Sequence, residues 1–361
     1  MPFGPIRRIG WRGLRGLHRR CVRRPVFRTL AGSVVVCDAR LARDSLADAG
    51  GVLDHPPAFW RPGGVALPPD GCAALNRWVH RALAAEDVHR SAGLAVDSLA
   101  AARGDLHRAC LHATAEAHRQ ALGLDDADLR AVVADFLDTV FHSMVTGSRR
   151  RVDDAGFQRL CARAGAVTAG GAVAGLPELD AAVRGEVYLR AVTAFVGASA
   201  AALTWLVCAF QRSEPVEARR VGDVREADPR HVALEVLRLW PPAWQHRRPV
   251  RHDHRLGPLS ALRGDDVVVP TYAMHRHPRY WTDPAAFDPA RWADLPDRPD
   301  AFLPFAVGPG ACVAAVSEVR RLGAVAEHLA ACPPLPLTRR AAEPHVTALL
   351  SAPAHVLGAV R

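Results

Sequence analysis

The chain has 361 residues, 49% of them hydrophobic and 23% charged, which is long and apolar enough for a globular protein with a sizeable core. Its 46 basic residues are all arginine and outnumber 37 acidic ones, a net charge of +9. No nucleic-acid motif accompanies that charge, so an acidic protein partner is the better expectation, and eight cysteines without a CxxC pair or a Cys/His cluster argue against a disulfide scaffold or a zinc site.

Residues 1–32 read as a basic leader, Arg-rich from Arg7 to Arg28 and without the apolar stretch of a signal peptide or anchor. A single domain is expected over 33–361. No apolar run reads as long enough to span a membrane, and the chain reads as cytoplasmic. Val34, Val35 and Val36 mark a short strand, followed by a helix over 39–49. A Gly/Pro loop from Gly63 to Gly71 leads into a helix over 73–86. Helical patterns cover 97–122 and 125–145, the second opened by Asp125 and Asp126. The Gly/Ala-rich stretch 165–175 reads either as a lid over a pocket or as a plain linker. Residues 177–212 are apolar nearly all round, the pattern of a buried helix. A helix over 230–240 is stopped by Pro241 and Pro242. Strands are expected at 247–250 and 266–269, and a turn-rich segment at 272–292. The chain reads as mainly α with a small β region.

Near the C-terminus, a loop carrying Phe305, Gly308, Pro309 and Gly310 presents Cys312 and runs into a helical pattern over 313–331. Arg320 and Arg321 are expected on the outer face of that helix. A cysteine between a glycine loop and a helix N-terminus sits where the helix dipole and free N–H groups favour the thiolate. Small neighbours let a flat ligand approach the sulfur.

Phe305-x-x-Gly308-x-x-x-Cys312 resembles the haem-thiolate loop of cytochromes P450. Three further stretches follow that family's order and spacing: Glu235-Val-Leu-Arg238, Ala273 to Trp281, and Phe287-Asp288-Pro289-Ala290-Arg291-Trp292. The resemblance is strong over 194–329. It implies the cytochrome P450 fold and haem b (iron protoporphyrin IX), with Cys312 as the axial iron ligand that pushes electron density toward the metal. It also implies a buried Glu235–Arg238–Arg291 network under the cysteine loop. Phe305, Gly308 and Ala314 would shape that loop, and Arg248 would meet a haem propionate. Trp78, with Arg77 and Arg81 four residues apart, resembles the family's tryptophan/arginine helix; Gly104 to Arg108 is a second candidate for the same role.

Two departures stand out. Gly310 occupies a loop position where the family usually has Arg or His for a propionate, and Ala314 replaces a usual Gly. More consequential, the family's distal acid–alcohol pair, which relays protons to iron-bound dioxygen, is absent. One alignment puts Gly197 at the acid position and Ala198 at the alcohol position, with Ser199 next; the other puts Ser199 at the acid position and Ala200 at the alcohol. Ser199 is either a weak donor or simply bonded to the preceding turn.

The resemblance implies a haem-thiolate oxidase acting on a small or medium apolar natural-product intermediate, with electrons from an acidic ferredoxin. Without the relay, non-monooxygenase chemistry (nitrene transfer, peroxide use, dehydration or rearrangement) is the alternative. A non-catalytic P450-like partner protein is a third reading, against which the retained cysteine argues.

Overall fold

The structure, a computed structural model, describes residues 9–29, 32–48, 50–53, 69–142, 154–168, 180–211, 220–293, 295, 299–341, 343–347 and 349–358, without the side chains of 69–76 and 154. Helix α1 (Gly10–Arg23) leads into strands β1 (Val26–Arg28) and β2 (Val34–Val36), then α2 (Ala39–Ala47). Helices α3 (Pro69–Ala84) and α4 (Val88–Ala101) precede β3 (Gly104–Asp105), α5 (Leu106–Ala117) and α6 (Ala127–Phe136), which ends in a π turn at Leu137–Phe141. Helices α7 (Asp154–Val167), α8 (Ala181–Phe210) and α9 (Pro229–Leu239) complete the helical half. Strands β4 (His246–Pro249), β5 (His254–Leu256), β6 (Leu259–Ala261) and β7 (Asp266–Val269) follow, with the short α10 (Thr271–Met274). The cysteine loop then enters α11 (Ala315–Ala331), and β8 (Leu337–Arg339), β9 (His345–Val346), β10 (Leu350–Ser351) and β11 (His355–Leu357) close the chain.

The basic segment is part of this body. Trp11, Leu14 and Cys21 fall on one face of α1 and are buried, while Arg12, Arg15, Arg19 and Arg23 stay outside. Strand β1 pairs antiparallel with β2 at Phe27↔Val35, so the expected boundary at residue 33 falls inside a hairpin. The apolar stripe was hidden by the arginines interleaved with it.

The main sheet has the order β1-β2-β7-β4, with β2 and β7 parallel. The helix expected over 97–122 is two helices. Gly104, in the left-handed region, turns the chain to let β3 pair with β11, and Asp105 caps α5 by accepting from the Arg108 N–H at 2.9 Å. The Gly63–Pro68 loop, and the Gly/Ala-rich stretch from 169 onward, lie outside the described residues.

Helix α8 is the spine. Asp180 caps it through the N–H groups of Ala182 and Val183. By length and composition it could cross a membrane, contrary to the expectation that no run is long enough; 83% of its most apolar window is buried inside the protein, which accounts for its composition. Gly165 of α7 and Gly185 of α8 each face a backbone carbonyl of the other helix so closely that a methyl group would overlap it. Trp205 of α8 stacks on Trp240 just past α9, with ring centroids 4.7 Å apart and planes within 4°.

Candidate functional site

In α9, Glu235 and Arg238 sit three residues apart on one face, and both are fully buried. They pair side-on: Arg238 Nη2 to Glu235 Oε1 at 2.8 Å and Nε to Oε2 at 2.9 Å. Arg291 Nε donates to the same carboxylate at 3.1 Å, as do Trp292 Nε1 at 3.0 Å and the Asp288 N–H at 2.9 Å. Arg238 spends its remaining donors on the carbonyls of His275, Pro284 and Ala286. One desolvated carboxylate thus meets two guanidiniums with its lone pairs satisfied, the condition under which a buried ion cluster persists.

The network reaches the cysteine loop through His275, which sequence reasoning passed over. Its Nδ1 donates to the Arg238 carbonyl at 3.1 Å, and its Nε2 accepts from the Leu303 N–H at 2.8 Å. Burial and the neighbouring Arg238 charge hold this imidazole well below the ordinary histidine range, so it is neutral and its tautomer is set by its two partners. Downstream, Ala306 adopts a left-handed φ of 57° and Gly308 one of 73°. A Cβ on Gly308 would lie 2.5 Å from Ala47 Cα of α2, so the loop rests directly on that helix. The Cys312 N–H then donates to the Phe305 carbonyl at 2.9 Å, closing the loop beneath the cysteine.

Cys312 faces open space, while six other described cysteines are buried or half-buried. The protein mass beneath the sulfur pushes its thiol above the ordinary value, opposed by the Ala314 N–H and the Arg321 charge. The helix terminus by itself therefore does not make the thiolate expected from the sequence; a bound cation at the sulfur would be needed.

Arg248 comes to the same loop from β4. Alternation along the strand puts His246 and Arg248 on one face, where His246 Nε2 bonds the Leu303 carbonyl at 2.9 Å. The Arg248 guanidinium lies where a side chain at Gly310 would be: a methyl group there would overlap Arg248 Nη2. Buried Arg248 Nε has no hydrogen-bond partner, and burial pulls this guanidinium below its ordinary value, offset in part by Asp48. A sulfur donor facing outward beside an under-satisfied buried cation fits an iron porphyrin with an anionic side arm.

Helix α8 is buried almost throughout, yet Ala194 and Ala198, one turn apart, are exposed. The only side chains this strip presents are methyl groups. Gly197 faces the other way, where an added Cβ would lie 2.5 Å from the Phe141 ring, and Ala200 is buried. Ser199 does not face the opening. Its Oγ donates to Glu318 Oε2 of α11 at 2.8 Å and accepts from Arg321 Nη2 at 3.3 Å. Arg321, expected on the outer face of α11, is in fact buried, paired with Glu318 and bonded to His118 and Glu86. Arg320 is exposed as expected. This cluster escaped sequence reasoning because its members come from four separate stretches of chain.

Trp78 is half-buried and packs edge-on against Phe195 of α8, with centroids 5.7 Å apart; Arg77 and Arg81 are exposed. Trp78 and Arg81 line a groove of about 880 Å³ together with Glu86, Arg90, His118 and Arg119. In the second candidate segment, Arg108 pairs with Asp138 and His107 bonds the Ala352 carbonyl, so both are committed elsewhere. Phe305 is half-buried and Ala314 immediately precedes α11.

The body is mainly helical with a minor sheet, and in it a buried Glu–Arg–Arg network braces an outward-facing cysteine. The cytochrome P450 family model matches residues 230–314. Human cytochrome P450 3A5 is 38% identical over 84 residues, 23% of this chain and 17% of that protein. Cyclooctatin synthase from Streptomyces melanosporofaciens is 33% identical over 135 residues, 32% of this chain and 29% of that protein. The matched segments thus span less than a third of these relatives. A mutant of P450 EryK, solved in complex with erythromycin B, superposes with a TM-score of 0.66 at 17% identity, covering 95% of each chain, which establishes the fold. Over residues 230–314 the chain is thus similar to cytochromes P450, and its fold is that of solved members of that family.

Proposed function

We propose that this chain is a haem-thiolate enzyme that oxidises a small or medium apolar natural-product intermediate. The observation that carries this reading is Cys312, facing outward from a loop that the Glu235–Arg238–His275 chain of hydrogen bonds holds in place, with the unpartnered Arg248 Nε beside it. Haem b is the expected cofactor, held by Cys312 at its iron and by Arg248 at a propionate, with Trp78, Arg77 and Arg81 as further candidate contacts. When bound, it supplies redox chemistry at the iron. The chain's own contribution is to fix the sulfur, to pair the propionate charge, and to offer an apolar wall at Ala194 and Ala198. An acidic ferredoxin is the expected electron donor, and the cytoplasm the expected place of work. Among the similar proteins, cyclooctatin synthase is named as the synthase of a particular small molecule, cyclooctatin.

A second reading is favoured by one observation: the exposed strip of α8 carries no hydroxyl, and Ser199 is engaged elsewhere. Proton delivery to dioxygen at the distal face then lacks a positioned donor. Nitrene transfer, peroxide use, dehydration or rearrangement needs no such relay. A non-catalytic partner role is weaker, because the cysteine is retained.

The test is spectroscopic, then chemical. The purified protein should bind haem and give the thiolate-type Soret band as its ferrous–CO complex, and Cys312→Ala should abolish that band. A protein that takes no haem would leave the partner role. Product formed only with reductant and dioxygen would establish the oxidase, whereas turnover of a pre-activated substrate without reductant would establish the second reading.

A further inference from the structure

Ser199, Glu318, Arg321, His118 and Glu86 form a buried cluster that joins α8 and α11 to the ends of α3 and α5. Ser199 Oγ donates to Glu318 Oε2 at 2.8 Å and accepts from Arg321 Nη2 at 3.3 Å. Arg321 also pairs with Glu318, donates to His118 Nε2, and reaches Glu86 Oε1 at 3.4 Å. His118 packs edge-on against Phe195 of α8, with centroids 5.1 Å apart. We propose that this cluster is a tie that fixes the spacing between the helix that follows Cys312 and the helix that bears the Ala194–Ala198 opening. Ser199 is then a positioning residue of the haem slot and not its proton source.

Three arguments carry this. A serine hydroxyl has one hydrogen, and Ser199 gives it to Glu318 while a lone pair takes the Arg321 N–H. Nothing remains to donate into the opening beside Ala198. Next, the cluster is not economical as a source of stability. Glu318 Oε1 and Glu86 Oε2 are buried without hydrogen-bond partners, and well-packed apolar residues commonly replace buried ion clusters at no loss. The best-attested use of such a cluster is to enforce one register, because a slipped helix would strand its charges. Finally, position matters. Glu318 lies in the first turn of α11, six residues beyond Cys312, so a change in its distance from α8 changes the slot where the sulfur faces outward.

This inference rests on the haem-thiolate reading for its purpose but not for its test. Hydrogen–deuterium exchange on the purified full-length protein, with and without added haemin, reads the tie directly. Ser199→Ala should speed exchange at least tenfold over residues 195–203 and 315–322 and reduce the thiolate-type share of the ferrous–CO spectrum. Ser199→Thr, which keeps the hydroxyl, should restore both. Glu318→Gln keeps the shape and an acceptor for Ser199, and should fall between wild type and Ser199→Ala. Unchanged exchange in Ser199→Ala would overturn the tie. Unchanged exchange together with an altered solvent isotope effect on turnover would overturn it in favour of a proton-donor role. Failure of the wild type to take up haem would instead count against the enzyme reading, and the haem-free exchange comparison would still decide the tie.

Discussion

The guanidinium of Arg248 occupies the volume that a side chain at position 310 would fill. Read in sequence, Gly310 looked like the loss of a cationic contact from the cysteine loop. In space, a strand arginine has moved into the vacated position, and glycine is what admits it. Exchanging the two should therefore fail stepwise. Gly310→Ala pushes against the far end of a flexible side chain, so its cost in stability should be small, under about 1 kcal/mol. Its effect should be on haem: titration with haemin should show several-fold weaker retention. Equal retention in Gly310→Ala and wild type would separate Arg248 from the cofactor.

The Glu235 carboxylate is fully buried and receives donors from Arg238, Arg291, Trp292 and Asp288. Removing its charge strands two guanidiniums, a loss of about 3–5 kcal/mol for a broken buried pair. Glu235→Gln should lower the urea midpoint accordingly. Arg12→Ala should leave it unmoved, because Arg12 meets Glu343 at 3.8 Å on the open surface. Similar midpoints for both variants would mean that the network is replaceable.

Burial holds His107 and His246 down to about 4 from an ordinary 6.5. As pH falls below 6.5 the unfolded chain takes up these protons before the folded one, so stability is full above 6.5 and is lost down to about 4. Each histidine contributes ~1.4 kcal/mol per pH unit across that window. Denaturation midpoints should therefore drop steadily from pH 6.5 to pH 4.5. His107→Gln retains a donor for the Ala352 carbonyl and should flatten the profile by about one proton; a profile as steep as wild type would refute the assignment.

Gly185 and Gly165 mark the crossing of α8 and α7, where backbone meets backbone. A methyl group at Gly185 has no flexible neighbour to displace, so the helices must part. Gly185→Ala should cost about 1–3 kcal/mol or more, read by thermal unfolding. Gly16 of α1 has open space around it. Gly16→Ala should stabilise by about 0.5–1 kcal/mol through helix propensity alone. Matching shifts of either sign would show that the crossing is loosely packed.

What the sequence made legible was what is local. Glu235 and Arg238 lie on adjacent turns of one helix, and Phe305 to Cys312 within one loop, so their spacing is visible without a fold. Arg291 was reachable through its own motif. The Ser199–Arg321 cluster was not, because its members run from Glu86 to Arg321 and meet only when four helices pack. Arg321 was placed outside by its charge, although its partners are what bring it in. The two- and three-residue strands from β8 to β11 left no periodicity long enough to read, whereas α7 buries Phe157, Leu160, Cys161 and Ala164 at helical spacing and was passed over. The stripe of Trp11, Leu14 and Cys21 was masked by arginines.

One pairing in the main sheet bears on how the chain is made. Strand β2 pairs in parallel with β7, Val34 against Val267, so about 230 residues separate partners that lie side by side. At roughly 5–20 residues per second, a ribosome needs on the order of 10–50 s to deliver the second strand after the first. For that interval the N-terminal hairpin carries an open, valine-rich edge with no native neighbour. The arginines of α1, made just before this hairpin, keep charge of one sign close to it along the chain while it waits.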